Sequence, residues 1–314
     1  MRVIVTGGAG FIGSHISELY LNMGYKVLII DNLSTGRREN IPKGAEFEIL
    51  SIEDEGKIEK IFKKFKPHIV NHHAAQASVI ESVKDPLRDM ETNIKGTLIL
   101  LKKSLEYNVK GFIFASSGGT VYGEPETLPV KEEYSSFPVS PYGISKKTGE
   151  MYGMFYSRKL PFVSLRYSNV FGPRQDPYGE AGVIAIFTER MLNNKEVFIY
   201  GDGFQTRDFI YIKDVIKSNY LATEYVLNGK SGIFNIGTGI ERSINEIFKK
   251  LKELTSYKKD PIYKPLREGE IKRIALDIEK AKNKLNFKPE WTLEEGLKET
   301  VKFFNERGKN QSSL

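Results

Sequence analysis

A glycine turn directly behind the first predicted strand constrains this chain more than any other feature. Arg2-Val3-Ile4-Val5-Thr6 reads as a strand, Gly7-Gly8-Ala9-Gly10-Phe11-Ile12-Gly13 follows, and a helical pattern opens there. Gly7, Gly10 and Gly13 stand at G-x-x-G-x-x-G spacing, which permits a tight turn and close backbone approach to a pyrophosphate. The free amides and the positive end of the helix then meet its charge. The second predicted strand ends at Asp31, 18 residues beyond Gly13. A carboxylate there accepts from a ribose 2′-hydroxyl and repels a 2′-phosphate, so NAD is expected rather than NADP. A plain glycine turn with a surface Asp would not require strand, loop, helix and acid to coincide.

The remaining pattern agrees with a dinucleotide fold. Short β-branched runs near 2–6, 26–30, 47–50, 68–72, 111–116 and 162–168 alternate with helical segments. That order predicts an α/β fold: a Rossmann-type doubly wound parallel sheet with ligands beyond the carboxyl ends of its strands. From about residue 170 the pattern loosens, with helices near 182–193, 213–227, 243–255 and 293–306, as in a smaller α/β substrate-binding lobe. The division expected is 1–169 for NAD binding and 170–307 mainly for substrate, with segments near 205–240 returning to the first domain. Residues 308–314 read as a flexible tail.

Composition excludes several function classes. No cysteine is present among the 314 residues, so disulfides and thiolate metal sites are out and a cytoplasmic setting is expected. The first strand starts at once, no targeting segment is expected, and no apolar run approaches the roughly 20 residues that span a bilayer. The net charge of +7 comes from lysines scattered on helix faces, such as Lys57, Lys60, Lys63 and Lys64 opposite Ile58, Ile61 and Phe62. No aromatic-interleaved basic tract suggests nucleic acid. His72 and His73 are adjacent strand residues that point to opposite faces, so they cannot chelate one ion, and no metal is expected.

Ser140-Pro141-Tyr142-Gly143-Ile144-Ser145-Lys146 begins with an N-cap serine and a proline at the first helical position. Tyr142 and Lys146 then share one helix face. A phenol of pKa about 10 becomes a usable base when a neighbouring ammonium and a cationic nicotinamide favour the phenolate. Such a pair is common by chance, and its place behind a dinucleotide fold gives it meaning.

Further motifs are Asp31-Asn32-Leu33-Ser34-Thr35-Gly36, His72-His73-Ala74-Ala75-Gln76, Ser116 to Gly123 and Arg166-Tyr167-Ser168-Asn169-Val170-Phe171-Gly172-Pro173-Arg174. Gly201-Asp202-Gly203 with Arg207-Asp208-Phe209, and Arg267-Glu268-Gly269-Glu270, complete the set. Over nearly its whole length the chain resembles the extended short-chain dehydrogenase/reductase family and, within it, the UDP-glucose 4-epimerases. The resemblance implies that Phe11, Ile12, residues 31–36, Ser51, Ile52, Ala74, Ala75, Gln76, Asn93, Tyr142 and Lys146 contact NAD. It assigns Asn169, Arg207, Arg267 and Glu270, with Ser117 and Tyr142, to a UDP-sugar. The family hydroxyl four residues before Tyr122 is Gly118 here, and its replacement is Ser117 or, on the same nominal strand face as position 118, Thr120. Where the family has an acid near the adenine, this chain has Ser51. The resemblance also implies a cytoplasmic homodimer paired through the helices that hold Asn93 and Tyr142, and Gly143, Gly149 and Gly153 suggest close packing there.

The reaction so implied is NAD-dependent 4-epimerisation of UDP-glucose and UDP-galactose through a 4-keto sugar, an isomerase of galactose metabolism. Epimerisation of a UDP-N-acetylhexosamine or of UDP-glucuronate is the alternative; Ile274 falls near the hexose, and Arg174 offers a partner for a uronic carboxylate. A nucleotide-sugar dehydratase would need an Asp-Glu pair where Gly119-Thr120 stands, and a silent NAD-binding scaffold would not need the intact Tyr142–Lys146 pair.

Overall fold

The computed structural model describes residues 1–135, 137–178, 182–266 and 271–312, with side chains described through Gly308. The first half runs β1 (Arg2–Thr6), α1 (Phe11–Asn22), β2 (Lys26–Asp31), β3 (Glu46–Ile49), α2 (Glu55–Phe65), β4 (Ile69–His72), α3 (Val79–Lys84) and α4 (Pro86–Met90). A π-helical segment (Glu91–Gly96) leads into α5 (Thr97–Glu106), then β5 (Gly111–Ser117), α6 (Pro141–Tyr156) and β6 (Phe162–Tyr167). The second half runs β7 (Asn169–Phe171), α7 (Val183–Leu192), β8 (Phe198–Tyr200), β9 (Thr206–Tyr211), α8 (Ile212–Leu227) and β10 (Gly232–Ile236). After these come β11 (Glu241–Ser243), α9 (Ile244–Leu254), β12 (Ile262–Lys264), α10 (Glu279–Leu285) and α11 (Leu293–Ser312).

The central sheet has seven strands in the order β10-β6-β5-β4-β1-β2-β3. All its pairings are parallel. The order reverses at β1, which is where a crevice opens for a ligand. Alternation along each strand feeds two cores. Val3, Val5, Val27 and Ile29 pack with Ile16 and Tyr20 of α1 and Val215, Ala222 and Val226 of α8. On the other face Ile4, Leu28, Val70, Phe112 and Phe114 pack with Ile58 and Phe62 of α2 and Ile99 to Leu101 of α5.

Four helices of the second half lie close to the sequence expectation. The last does not stop near 306: α11 continues through Ser312, past the start of the expected tail. β10 inserts beside β6 with Gly232 opposite Val163. The rest of the second half forms a three-stranded sheet, β11-β9-β7, and a pair, β12-β8. Asp208 of β9 fastens this lobe. Its fully buried carboxylate accepts from the amides of Thr238, Gly239 and Leu276 and from the Thr238 hydroxyl.

Helix α6 starts as its sequence signals, with the Ser140 hydroxyl accepting from the Gly143 amide at 3.2 Å and Pro141 in the first turn. Its glycines seat it on its own sheet. A Cβ at Gly149 would lie 2.6 Å from the Phe114 ring, and one at Gly153 would lie 2.1 Å from the Phe162 ring. The close packing inferred from these residues is therefore within the chain and not between subunits.

Candidate active site

The glycine turn forms a cradle that side chains would fill. Gly7 has φ +68°, and a Cβ there would sit 2.6 Å from the Ala74 nitrogen; at Gly13 it would sit 2.1 Å from the Gly7 oxygen. Gly10 caps α1 without any side-chain hydrogen bond, so the first amides of the helix, from Phe11 to Gly13, keep their donors for an anion. Asp31, at the end of β2, accepts from the Ala9 and Leu33 amides at 3.0 and 2.8 Å, one on each oxygen. Each oxygen retains a lone pair for a ribose hydroxyl. Asn32 donates to the Ser51 hydroxyl at 3.0 Å and receives the Ser34 amide, while Ser34 and Thr35 are exposed around Gly36. This donor and acceptor set fits a pyrophosphate flanked by an adenosine ribose, so the residues present fit NAD. The Ile52 side chain is buried against Gly96 and points into the core, which leaves its backbone for a cofactor contact.

On the other side of the turn, Ala74 to Gln76 leave β4 half-buried. Asn93 is buried, and its amide clamps Gln76 by accepting from the backbone nitrogen and donating to the backbone oxygen, both at 2.9 Å. Its side chain is committed to shaping this loop. His72 bridges Thr6 and Thr97 at 2.7 and 2.9 Å, and His73 reaches the Tyr167 hydroxyl at 3.1 Å. Burial first, then the Lys146 charge, holds both imidazoles below their ordinary range, His73 at about 3, so both are neutral near pH 7.

Tyr142 and Lys146 lie at the carboxyl end of β5, with Lys146 buried and Tyr142 half-buried. The Lys146 ammonium donates to the Ala115 carbonyl at 2.8 Å and sits 5.7 Å from the Tyr142 ring centre. Burial pushes Lys146 down to about 8, opposed by Asp89 and Glu150. The phenol of Tyr142 is held above its ordinary range by burial and then by Asp89, against a hydrogen bond with Ser117 that favours the phenolate. The Lys146 ammonium is thus held by a backbone oxygen close to the Tyr142 ring, while Asp89 opposes ionisation of the phenol.

The two candidate hydroxyls separate. Ser117 is the one near enough to Tyr142 to favour its phenolate. β5 ends at Ser117, and the chain turns, with the amides of Thr120 and Val121 both bonded to the Ser117 oxygen. Thr120 is therefore not on a strand face with position 118, and its hydroxyl is buried with no hydrogen-bond partner. Gly118 has a steric cause: a Cβ there would meet Leu276 at 2.4 Å.

Asn169 on β7 and Arg207 on β9 approach one another through the strand pairing of Asn169 with Phe209. The Asn169 amide oxygen faces Gly119, and Arg207, half-buried, donates to the Thr206 carbonyl at 2.8 Å. Arg267 and Glu270 lie outside the described residues. The structure bears on two expectations about substrate choice. Arg174 is bound to Glu18 at 2.6 Å and Ser14 at 3.2 Å, so it is not a free partner for a uronic carboxylate. Ile274 is 2% exposed and packs with Val121, Tyr122, Val130 and Leu276.

Sequence reasoning missed the buried groups behind the pair. Glu150 lies one turn beyond Lys146 and receives Arg166 in a two-pronged ion pair at 2.8 and 2.7 Å, together with Ser116 and Ser164. Asp89 is fully buried and accepts from Ser145, Asn93 and Gln76. The i, i+4 spacing of Lys146 and Glu150 was the one available signal for Glu150.

Known proteins agree with this architecture. The model of the NAD dependent epimerase/dehydratase family matches residues 3–237. A putative UDP-glucose 4-epimerase of Methanocaldococcus jannaschii is 49% identical over 302 residues, 95% of this chain and 97% of that protein. A UDP-glucose 4-epimerase of Thermotoga maritima, solved with UDP-glucose, superposes with TM-score 0.94 at 51% identity, covering 98% of this chain and 99% of that one. A Thermus thermophilus UDP-glucose 4-epimerase, solved with NAD, gives TM-score 0.90 at 43% identity, covering 97% and 99%. With a family model spanning well over half of its length and a full-length relative at 49% identity, the chain belongs to the NAD-dependent epimerase/dehydratase family.

Proposed function

We propose that this protein is a UDP-glucose 4-epimerase that interconverts UDP-glucose and UDP-galactose with NAD retained in the glycine cradle. The observation that carries the reading is the convergence of Tyr142, Lys146 and Ser117 at the carboxyl end of β5, beside that cradle. Gly7, Gly10, Phe11, Ile12 and Gly13 hold the pyrophosphate, Asp31 the adenosine ribose, and Ala74 to Gln76 the nicotinamide side. Bound NAD supplies a hydride acceptor and donor at one sugar carbon, and its positive charge favours the phenolate. Tyr142 takes the proton of the sugar 4-hydroxyl and later returns it. Ser117 donates a hydrogen bond that steadies the phenolate oxygen. Lys146 is fixed by the Ala115 carbonyl, where its ammonium favours negative charge in the site. Asn169, Arg207 and Arg267 hold the nucleotide diphosphate, and Glu270 accepts from a hydroxyl of the substrate, while the 4-keto sugar presents its other face. A guanidinium suits that task because its planar fork pairs with phosphate oxygens.

The test is a proton-NMR assay of purified protein with UDP-galactose, UDP-N-acetylgalactosamine and UDP-glucuronate, each with and without added NAD. Conversion of UDP-galactose to UDP-glucose as the fastest reaction is expected. Faster turnover of the N-acetylated sugar would reassign the substrate, and no conversion of any of the three would sink the reading. The engaged Arg174 argues against the glucuronate, and Gly119-Thr120 argues against elimination.

The outer face of α6 exposes Ile144, Met151, Tyr152 and Phe155, and the neighbouring α3 and α4 expose Val83, Leu87 and Met90. An apolar face of this kind supports a homodimer built through these helices. Light scattering should give the mass of two chains for the wild type and of one for Phe155→Glu, whose parent side chain is 73% exposed. A dimer that survives the charge would place the interface elsewhere.

A further inference from the structure

Asp89 is a fully buried carboxylate to which no role has been given above. One oxygen accepts from the side-chain amides of Asn93 at 2.8 Å and Gln76 at 3.2 Å, and the other from the Ser145 hydroxyl at 2.5 Å. Ser145 lies between Tyr142 and Lys146 on α6, whereas Gln76 and Asn93 shape the loop behind β4. One side chain thus joins the catalytic helix to the loop on the nicotinamide side of the cradle. All three donors are neutral, which is an expensive setting for a charge unless the charge itself is used.

The groups around Lys146 show what that use is. From β4 it is faced by His72 and His73, both neutral; from β5 by the Ala115 carbonyl and the Phe114 ring, 5.0 Å away. On α6 its neighbours are Tyr142 and Glu150. The Glu150 carboxylate is matched by the two-pronged contact of Arg166 from β6, and Lys147 approaches it to 3.7 Å. Among the described residues Asp89, on α4, is the remaining carboxylate that acts on it, and its charge is not matched by a cation among its hydrogen-bond partners.

We propose that Asp89 is a positioning residue for the Tyr142–Lys146 pair, tying their helix to the Gln76–Asn93 loop and supplying the unmatched negative charge that faces the buried ammonium. This rests on the Tyr142–Lys146 reading above. Its two halves separate by substitution. Asp89→Asn keeps the shape and removes the charge, whereas Ser145→Ala keeps the charge and removes the tether.

The experiment is lysine 13Cε NMR of the full protein across pH, with the Lys146 resonance identified by its loss in Lys146→Met. Lys146 should titrate near pH 8, well apart from ordinary lysines. Asp89 raises the affinity of this amine for its proton, so in Asp89→Asn the midpoint should fall by about one unit. In Ser145→Ala the midpoint should stay in place while kcat falls roughly tenfold at constant KM, with Ser145→Thr restoring it. An unmoved midpoint in Asp89→Asn overturns the electrostatic half, and unchanged kcat in Ser145→Ala overturns the positioning half. If Asp89→Asn does not fold, the Ser145 variants still decide the tether. A wild type that converts no UDP-sugar, yet shows the stated titrations, would fail the epimerase reading and leave this one standing.

Discussion

Replacing Tyr142 by phenylalanine should lower the interconversion of UDP-glucose and UDP-galactose by about a thousandfold, the scale on which a positioned general base acts, while NAD binding should stay near normal. The substitution removes a single oxygen. The ring remains on α6 beside Lys146, whose ammonium is anchored independently on the Ala115 carbonyl. The glycine turn and Asp31 are untouched, so loss of turnover cannot be blamed on an empty cradle. The expected pattern is therefore a fall in kcat with little change in KM. Tyr142 is a demanding base: burial and Asp89 hold its phenol above the ordinary range, and Ser117 opposes them. Ser117→Ala should therefore also lower kcat, and Thr120→Val should lower it less, because Ser117 is the hydroxyl that acts on the phenol. Near-normal turnover in the Tyr142 variant, measured on protein shown to hold NAD, would remove it from the proton-transfer step.

The legible part of this site is what local sequence determines. A strand, a glycine turn, an acid at the next strand end and a capped helix with Tyr142 and Lys146 are each written within a few consecutive residues. The six strands of the first half could be read because each is a short apolar run between turn signals. A return of segments near 205–240 to the first domain was legible, but the pairing of β10 with β6 was not, since nothing within Gly232–Ile236 names its neighbour. The same holds for Asp89, which sits in a polar stretch that reads as a solvated helix face. Its burial depends on Ser145, 56 positions away in the chain. Gly118 is a third case. As a missing hydroxyl it looks like damage to the site, but Leu276 occupies the space a side chain would need, and Ser117 already meets the phenol. Long-range contacts decide these positions, and a single chain read in order does not contain them.

Breaking the Arg166–Glu150 pair should be the most destabilising single change available behind the site. Both side chains are 1% exposed, so solvent does not screen them. Arg166→Met leaves Glu150 buried with Ser116 and Ser164 as hydrogen-bond donors and Lys147 at 3.7 Å, and a buried carboxylate stripped of its two-pronged partner costs about 3–5 kcal/mol. Arg166 also donates to the Tyr122 hydroxyl at 2.6 Å, and Tyr122 in turn donates to Asn235 on β10, so the loss is felt at the edge of the sheet. The paired change Arg166→Met with Glu150→Leu removes both charges together and should cost far less than Arg166→Met alone, because desolvation of each ion is then no longer required. Urea unfolding of the wild type, the two single variants and the double variant measures the coupling. A cost below about 1 kcal/mol for Arg166→Met would mean that water or a rearranged lysine, with Lys147 the nearest at 3.7 Å, takes over the carboxylate. A large cost that persists in the double variant would instead assign Arg166 a packing role against the Tyr122 ring, whose centre lies 4.8 Å from its guanidinium carbon.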